Sequence, residues 1–286
     1  MVQKVSIDKL IMLTGDLPPM PYVARRVMDV VNDSSTDAHI LQEIISKDQG
    51  LAGQIMKIAN SALYACSRRI ETLTDAIVML GFNSIRSLSI MAATKNLYEF
   101  TRRGKILGLK DKLMWEHSVA AAMTARIVAQ KVRPAMIEKA FMGGLLHDIG
   151  KLVILQKLPD VFDSIVEEVY NTGRHFAEVE MELLEFTHAE VGAMLMKKWK
   201  LPEEFENAVR YHHEVTAETN LDSQLIYFID LANMICHKLG LGFIKEPGLE
   251  LSSEISTMRL GVAEDDLEKM IEMTNSALDQ ELTTFM

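Results

Sequence analysis

The chain has 286 residues, 48 % hydrophobic and 24 % charged, the balance of a globular protein with one large core or two smaller ones. A net charge of −10 excludes a broad nucleic-acid-binding face, because phosphate neutralisation needs clustered Lys and Arg, and Arg102-Arg103 and Lys197-Lys198 are too short for one. No run of about 18 apolar residues marks a membrane span, and the N-terminus lacks the apolar stretch and cleavage site of a signal peptide, so the expected location is the cytoplasm. Cys66 and Cys236 lie far apart, without disulfide or zinc-knuckle spacing, and the 19 methionines fall at helical intervals that suit an adaptable core.

Little apolar-polar alternation and prolines at segment borders predict an all-α protein. After the LPPMP turn at 17–21 a helix runs to Val31, with Val23, Val27 and Val30 or Val31 on one face. A second spans Asp37 to Ser46. Asp48 caps a third whose stripe is Leu51, Ile55, Ile58 and Leu63, Thr74 caps a fourth that Gly81 ends, and Asn83 caps a fifth. These segments, which include ANSALY and LGFNSIRSL, together with HDIGK further on, resemble the HDOD family, the HD-related output domains of bacterial signalling proteins. The resemblance covers residues 12 to 240, with Gln49 where the family usually has proline, and it implies a helical N-terminal half beside a helical half of the HD phosphohydrolase type.

The pattern loosens at TRRGKILGLK, which places a junction near residue 105 and divides the chain into 1–105, 106–240 and a C-terminal extension, 241–286. A long helix from Asp111 to Lys131 carries His117. Pro134 opens the helix that delivers FMGGLLHDIGK, and KLVILQKLP is read as its helical continuation. Thr172-Gly173 closes the next helix. Thr187 and Glu190 have capping-box spacing, which puts His188 in a first turn with Gly192 one turn later. Pro202 starts a helix that ends at His212-His213. A helix from Asp222 to Gly240 carries Asp230, and a last one spans Ala263 to Leu282, with Leu267, Met270, Ile271 and Leu278 packing on the core.

His147 and Asp148 stand side by side in an apolar helical stretch, where two ionisable groups are costly unless paired. A divalent cation satisfies an imidazole and a carboxylate together; a solvated pair at a capped helix end is the alternative for the dipeptide alone. Lys151 projects from the same helical side, and a cation beside a metal suits a phosphate.

The order H…HD…H…HH…D resembles the ligand set of binuclear HD-GYP phosphodiesterases. Carried over by position, the resemblance implies one metal held by His117, His147, Asp148 and Asp230 and a second held by His188, His212 and His213, with Asp148 bridging. His39, His175 and His237 lie outside it. Donors without thiolate fit iron or manganese first, and zinc or nickel after them. The Gly-Tyr-Pro signature is missing after His213, and Leu113 stands where three-metal members have glutamate, which argues against cyclic di-GMP cleavage. Two functions follow from the resemblance: an output protein with a structural or ligand-sensing metal site and a signalling protein partner, or a metal-dependent phosphohydrolase using Asp148 and Lys151 on a phosphate-containing ligand. Access to the metals discriminates between them, since an enzyme needs an open pocket with Lys151 pointing into it.

Overall fold

The computed structural model describes residues 17–31, 36–61, 64, 68–99, 108–216 and 224–285, with backbone alone at 99 and 280–285. Every regular element among the described residues is a helix, as the sequence predicts. The chain forms two compact units, one of residues 20–100 with 275–286 and one of residues 1–19 with 101–274. The expected break at 105 lies outside the described residues. Residues 241–274 belong with the histidine-rich unit and do not form a separate extension.

The N-terminal unit begins with α1 (Tyr22–Val31), α2 (Ala38–Ser46) and α3 (Gln49–Ala59). Asp37 caps α2 through the amides of His39 and Ile40, and Asp48 caps α3 through that of Leu51. Asn60 works beyond its own helix. Its amide donates to the Ile70 carbonyl at 2.9 Å and accepts from the Ile70 amide at 2.8 Å, tying down the returning chain. The fourth element, α4 (Leu73–Glu99), runs two helices together across a kink and corrects one expectation. Its N-terminal box is Thr72 with Asp75, whereas the Thr74 hydroxyl bonds Gln42. Gly81, at φ 78° and ψ 165°, is non-helical and separates two helices within this element, as the sequence predicts. Residues 73–98 are long and apolar enough to cross a membrane by composition, but their apolar surface packs on α1, α2 and α3.

The histidine-rich unit is built on α5 (Leu109–Val132), which packs along α6 (Ile137–Leu146), with α12 (Leu225–Leu239) against both. The Arg126–Glu138 ion pair, 2.6 Å and largely covered, joins α5 to α6. A one-turn 3-10 segment, Pro134–Met136, enters α6. The helix then stops at His147-Asp148 and restarts as α7 (Ile149–Lys157). His147 and Asp148 therefore occupy a break between two helices, not the interior of one. KLVILQK is helical, and Pro159 opens α8 (Pro159–Thr172), which Gly173 closes in the left-handed conformation. There follow α9 (Phe176–Leu184), α10 (His188–Lys198) with its Thr187–Glu190 capping box, and α11 (Glu203–Tyr211). After α12 come α13 (Ile255–Leu260) and α14 (Glu264–Phe285). Of the predicted stripe on the last helix, Leu267, Met270 and Leu278 are buried and Ile271 is half-buried.

Close helix contacts set where the histidines end up. A Cβ on Gly144 would lie 2.6 Å from the Ala121 carbonyl oxygen, so α6 meets α5 backbone to backbone one turn before His147. A Cβ on Gly150 would lie 1.9 Å from the His188 carbonyl oxygen, so α7 meets the start of α10 in the same way. The three glycines of FMGGLLHDIGK are thus contact points that deliver His147 and Asp148 between α5 and α10.

Candidate metal centre

Four of the histidines are aimed by Nδ1. That of His117 faces the Leu241 carbonyl at 2.8 Å, that of His147 the Gly144 carbonyl at 2.7 Å, and that of His212 the Val209 carbonyl at 2.7 Å. A ring that donates from Nδ1 to a carbonyl carries, when neutral, its lone pair on Nε2. In His188, Nδ1 faces the Glu180 carboxylate at 2.6 Å, and the same carboxylate oxygen accepts from the His188 amide at 2.8 Å.

The Nε2 atoms converge on Asp148. His117 and His147 lie 3.5 Å from its Oδ2, with 3.3 Å between their Nε2 atoms. His188 and His212 lie 3.1 Å and 3.8 Å from Oδ1, and the Nε2 atoms of His188 and the exposed His213 are 3.1 Å apart. Two sets of potential ligand atoms result, each mutually within 4.8 Å: His117, His147 and Asp148, and Asp148, His188, His212 and His213. Asp148 belongs to both. Asp148 Oδ1 and His212 Nε2 are buried without a hydrogen-bond partner. Unpaired lone pairs facing one another at such distances are unfavourable unless a cation lies among them, so these residues fit divalent metal ions.

Burial and neighbouring charge keep the cluster ready for metal. Burial pulls the His147 ring down to about 4 against the pull of Asp148, and it holds His212 well below the ordinary imidazole value, with His147 and His188 adding to the effect. His117 is lowered chiefly by burial as well. Burial alone would raise the Asp148 carboxyl, but His147, Lys151 and His188 outweigh it and keep it well below its usual range. His188 goes the other way: burial opposes protonation, yet the Glu180 charge, with the bond to Glu180 and the nearby Asp148 carboxylate, raises it.

Lys151 does not point into free space. Its Nζ donates to Asp148 Oδ2 at 2.7 Å and sits 4.5 Å over the Phe176 ring. The cavity above the centre, lined by His117, Asp148, Lys151, Phe176, His237 and Phe243 among others, has a volume of only about 10 Å³. That holds about one water molecule. The segment after α12 forms its cover: Gly242, at φ 109°, lies against the His117 ring, and Phe243 packs on Phe176 at 5.4 Å between centroids. Glu246 then donates its amide to the His237 carbonyl and places its carboxylate 3.5 Å from His175.

Of the seven ligand residues that the resemblance implies, six meet in the centre and Asp230 does not. The Asp230 carboxylate accepts a 2.5 Å hydrogen bond from Ser256 on α13 and stands outside both ligand sets. Burial pushes it up to about 7, against the Ser256 bond and with help from Glu254. An acid that holds its proton more tightly when folded makes the fold less stable as pH rises from about 4 to about 7. Asp230→Asn is therefore expected to melt like the wild type near pH 4.5 and at a higher temperature near pH 8, in thermal melts of chelator-treated protein. Equal pH profiles would contradict a buried, proton-holding Asp230.

Sequence reasoning passed over Glu180, buried in α9, and treated His237 as peripheral, although its ring stacks on His117 at 5.8 Å. Glu180 carries no local signal, standing in the acidic run EVEMELLE. His237 lies on the helix that carries Asp230, one residue past buried Cys236, and its seven-residue spacing from Asp230 is the only hint.

Fold and centre together define a helical protein of the HD type, with a shared aspartate ringed by histidines. The HDOD domain model matches residues 17–215, and the chain belongs to the HDOD domain family. An uncharacterized protein of Treponema pallidum (strain Nichols) is 25 % identical over 225 residues, covering 77 % of this chain and 42 % of the relative, so the chain spans less than half of that protein. Among solved structures, an HDOD domain protein from Geobacter sulfurreducens superposes with a TM-score of 0.79 at 24 % identity, covering 97 % of this chain and 94 % of the other. A candidate phosphohydrolase from Shewanella amazonensis SB2B gives 0.74 at 24 % identity over 96 % of both chains. At this identity the structures establish the fold alone.

Proposed function

We propose that this HDOD protein is a signalling output element whose centre holds two divalent cations, iron or manganese before zinc or nickel, in a structural or ligand-sensing role that a signalling protein partner reads. The observation that carries this reading is the cover. With a cavity of about 10 Å³ and Lys151 committed to Asp148, a phosphodiester has no room beside the cations. Bound cations would supply Lewis acidity and a fixed positive charge for a phosphate group. The chain contributes the rest: carbonyls of Leu241, Gly144 and Val209 and the Glu180 carboxylate orient the rings, and Phe176 and Phe243 exclude water.

A phosphohydrolase is the second reading, favoured by Lys151 lying at the edge of the centre, where an outward turn of the 241–247 segment would free it for a phosphate-containing ligand. One experiment separates the two. Metal content is measured on untagged wild type, Asp148→Ala and Phe243→Ala, and each is assayed on bis(p-nitrophenyl) phosphate. The expected result is about two ions per chain in wild type and Phe243→Ala, loss of both in Asp148→Ala, and no hydrolysis by wild type. Wild-type hydrolysis that disappears with Asp148→Ala would establish the enzyme reading. Wild type without metal would remove the basis of both.

A further inference from the structure

Among the described residues, the first ligand set holds only three groups, His117, His147 and Asp148, and the carboxylate expected to complete it, Asp230, is engaged elsewhere. The helix that carries Asp230 nevertheless reaches the centre. On α12, His237 stacks on the His117 ring, and the residue one turn before it is Asn233. Asn233 is 4 % exposed, stands one turn from the residue that stacks on His117, and its Oδ1 is buried with no partner of hydrogen-bond geometry. A buried amide oxygen normally finds a donor, and one left without a partner on the helix that reaches a three-donor set has the chemistry of a fourth ligand. Asp230 and Asn233 are three residues apart, about 4.5 Å along the helix axis. Ser256 on α13 engages the first of them, and no donor engages the second.

The geometry points to Asn233 Oδ1, in place of the Asp230 carboxylate, as the fourth protein ligand of the ion held by His117, His147 and Asp148. The inference rests on the metal-centre reading above and adds a consequence to it. With Asn233 the first ion has a single carboxylate, shared with the second, so the two positions match in charge and differ in their neutral donors. The second position keeps three imidazoles and the other oxygen of Asp148. An amide oxygen in place of a third imidazole makes the first position the weaker binder of iron, zinc or nickel, for which imidazole nitrogen is the better donor, and a second carboxylate there would strengthen it. The first ion is thus the one that is gained and lost as metal availability changes.

The test is Zn²⁺ binding by titration calorimetry, with metal content by elemental analysis, on chelator-treated wild type, Asn233→Ala, Asn233→Asp and Asp230→Asn; circular dichroism and thermal melts confirm the fold of each. Wild type is expected to bind two ions with unequal affinity. Asn233→Ala should fall to about one ion per chain with the tighter step intact, and the near-isosteric Asn233→Asp should strengthen the weaker step by roughly tenfold or more. Asp230→Asn should bind as wild type does. Two ions in wild type with an unchanged weaker step in both Asn233 variants, or loss of one ion in Asp230→Asn, would overturn the assignment and leave the metal centre standing. No binding by wild type would overturn both.

Discussion

Replacing Gly150 with alanine is expected to lower the thermal midpoint by roughly 6–12 °C and to strip the metal centre. The added Cβ would lie 1.9 Å from the His188 carbonyl oxygen and 2.8 Å from both the His188 carbonyl carbon and the Gly192 amide nitrogen. All three atoms are backbone, so no side chain can rotate away; α7 and α10 must separate. Overpacking of this kind costs about 3 kcal/mol at the upper end of the usual range, and in a protein of this size each kcal/mol moves the midpoint by about 2–4 °C. The separation also acts on the site, because Asp148 stands two residues before Gly150 and its Oδ1 is 3.1 Å from His188 Nε2. Gly53 is the matched control. It lies inside α3 with nothing within 4 Å of an added Cβ, so Gly53→Ala should raise stability by about 0.5–1 kcal/mol through helix propensity. Calorimetric melts of the two variants, with metal content of each, check the prediction. A Gly150→Ala protein that melts like the wild type would mean that the two helices do not approach this closely.

The same glycine shows what the sequence makes legible and what it hides. Helix order could be read from caps, because a cap is local chemistry: Asp37, Asp48 and the Thr187–Glu190 box act where their spacing says. Thr72 displaced Thr74 because two threonines two residues apart offer the same hydroxyl, and tertiary contact with Gln42 takes the second. The break at His147-Asp148 was not legible. Nothing apolar-periodic interrupts FMGGLLHDIGK, and the chain bends there because Gly144 docks on α5 while Gly150 docks on α10. Six of the centre's residues could be named because their order along the chain resembles the HD-GYP ligand set. The place of Asp230 in that set comes from the resemblance alone; the donor that engages it, the Ser256 hydroxyl, arrives from a helix 26 residues further on. The cover over the centre was equally hidden, because a proline-containing loop gives no sign that Phe243 will meet Phe176.

Glu180→Gln is expected to weaken metal binding by roughly 10–100-fold with little change in fold, since residues that orient a ligand histidine have effects of that size. Glu180 is fully buried, and one oxygen accepts from both the amide and Nδ1 of His188. Glutamine keeps the shape and can keep an accepting oxygen, so the variant removes the charge and little else. That charge does two things. It sustains the Nδ1–H tautomer that leaves Nε2 facing Asp148 and His213, and it raises the affinity of His188 for a proton against the effect of burial. In metal-free protein a histidine with a raised pKa adds stability that is full below its unfolded value, near 6.5, and is lost as pH rises through the folded value. Metal must displace that proton, so binding should release it and tighten with rising pH. In Glu180→Gln the histidine should titrate lower, the alkaline loss of stability should shrink, and proton release on binding should fall. Calorimetry in two buffers of different ionisation enthalpy reads the proton count, and imidazole NMR reads the titration. Unchanged affinity with an unchanged His188 titration would reduce the Glu180–His188 contact to packing. A lowered titration with full affinity would place the charge in proton storage and not in holding the metal.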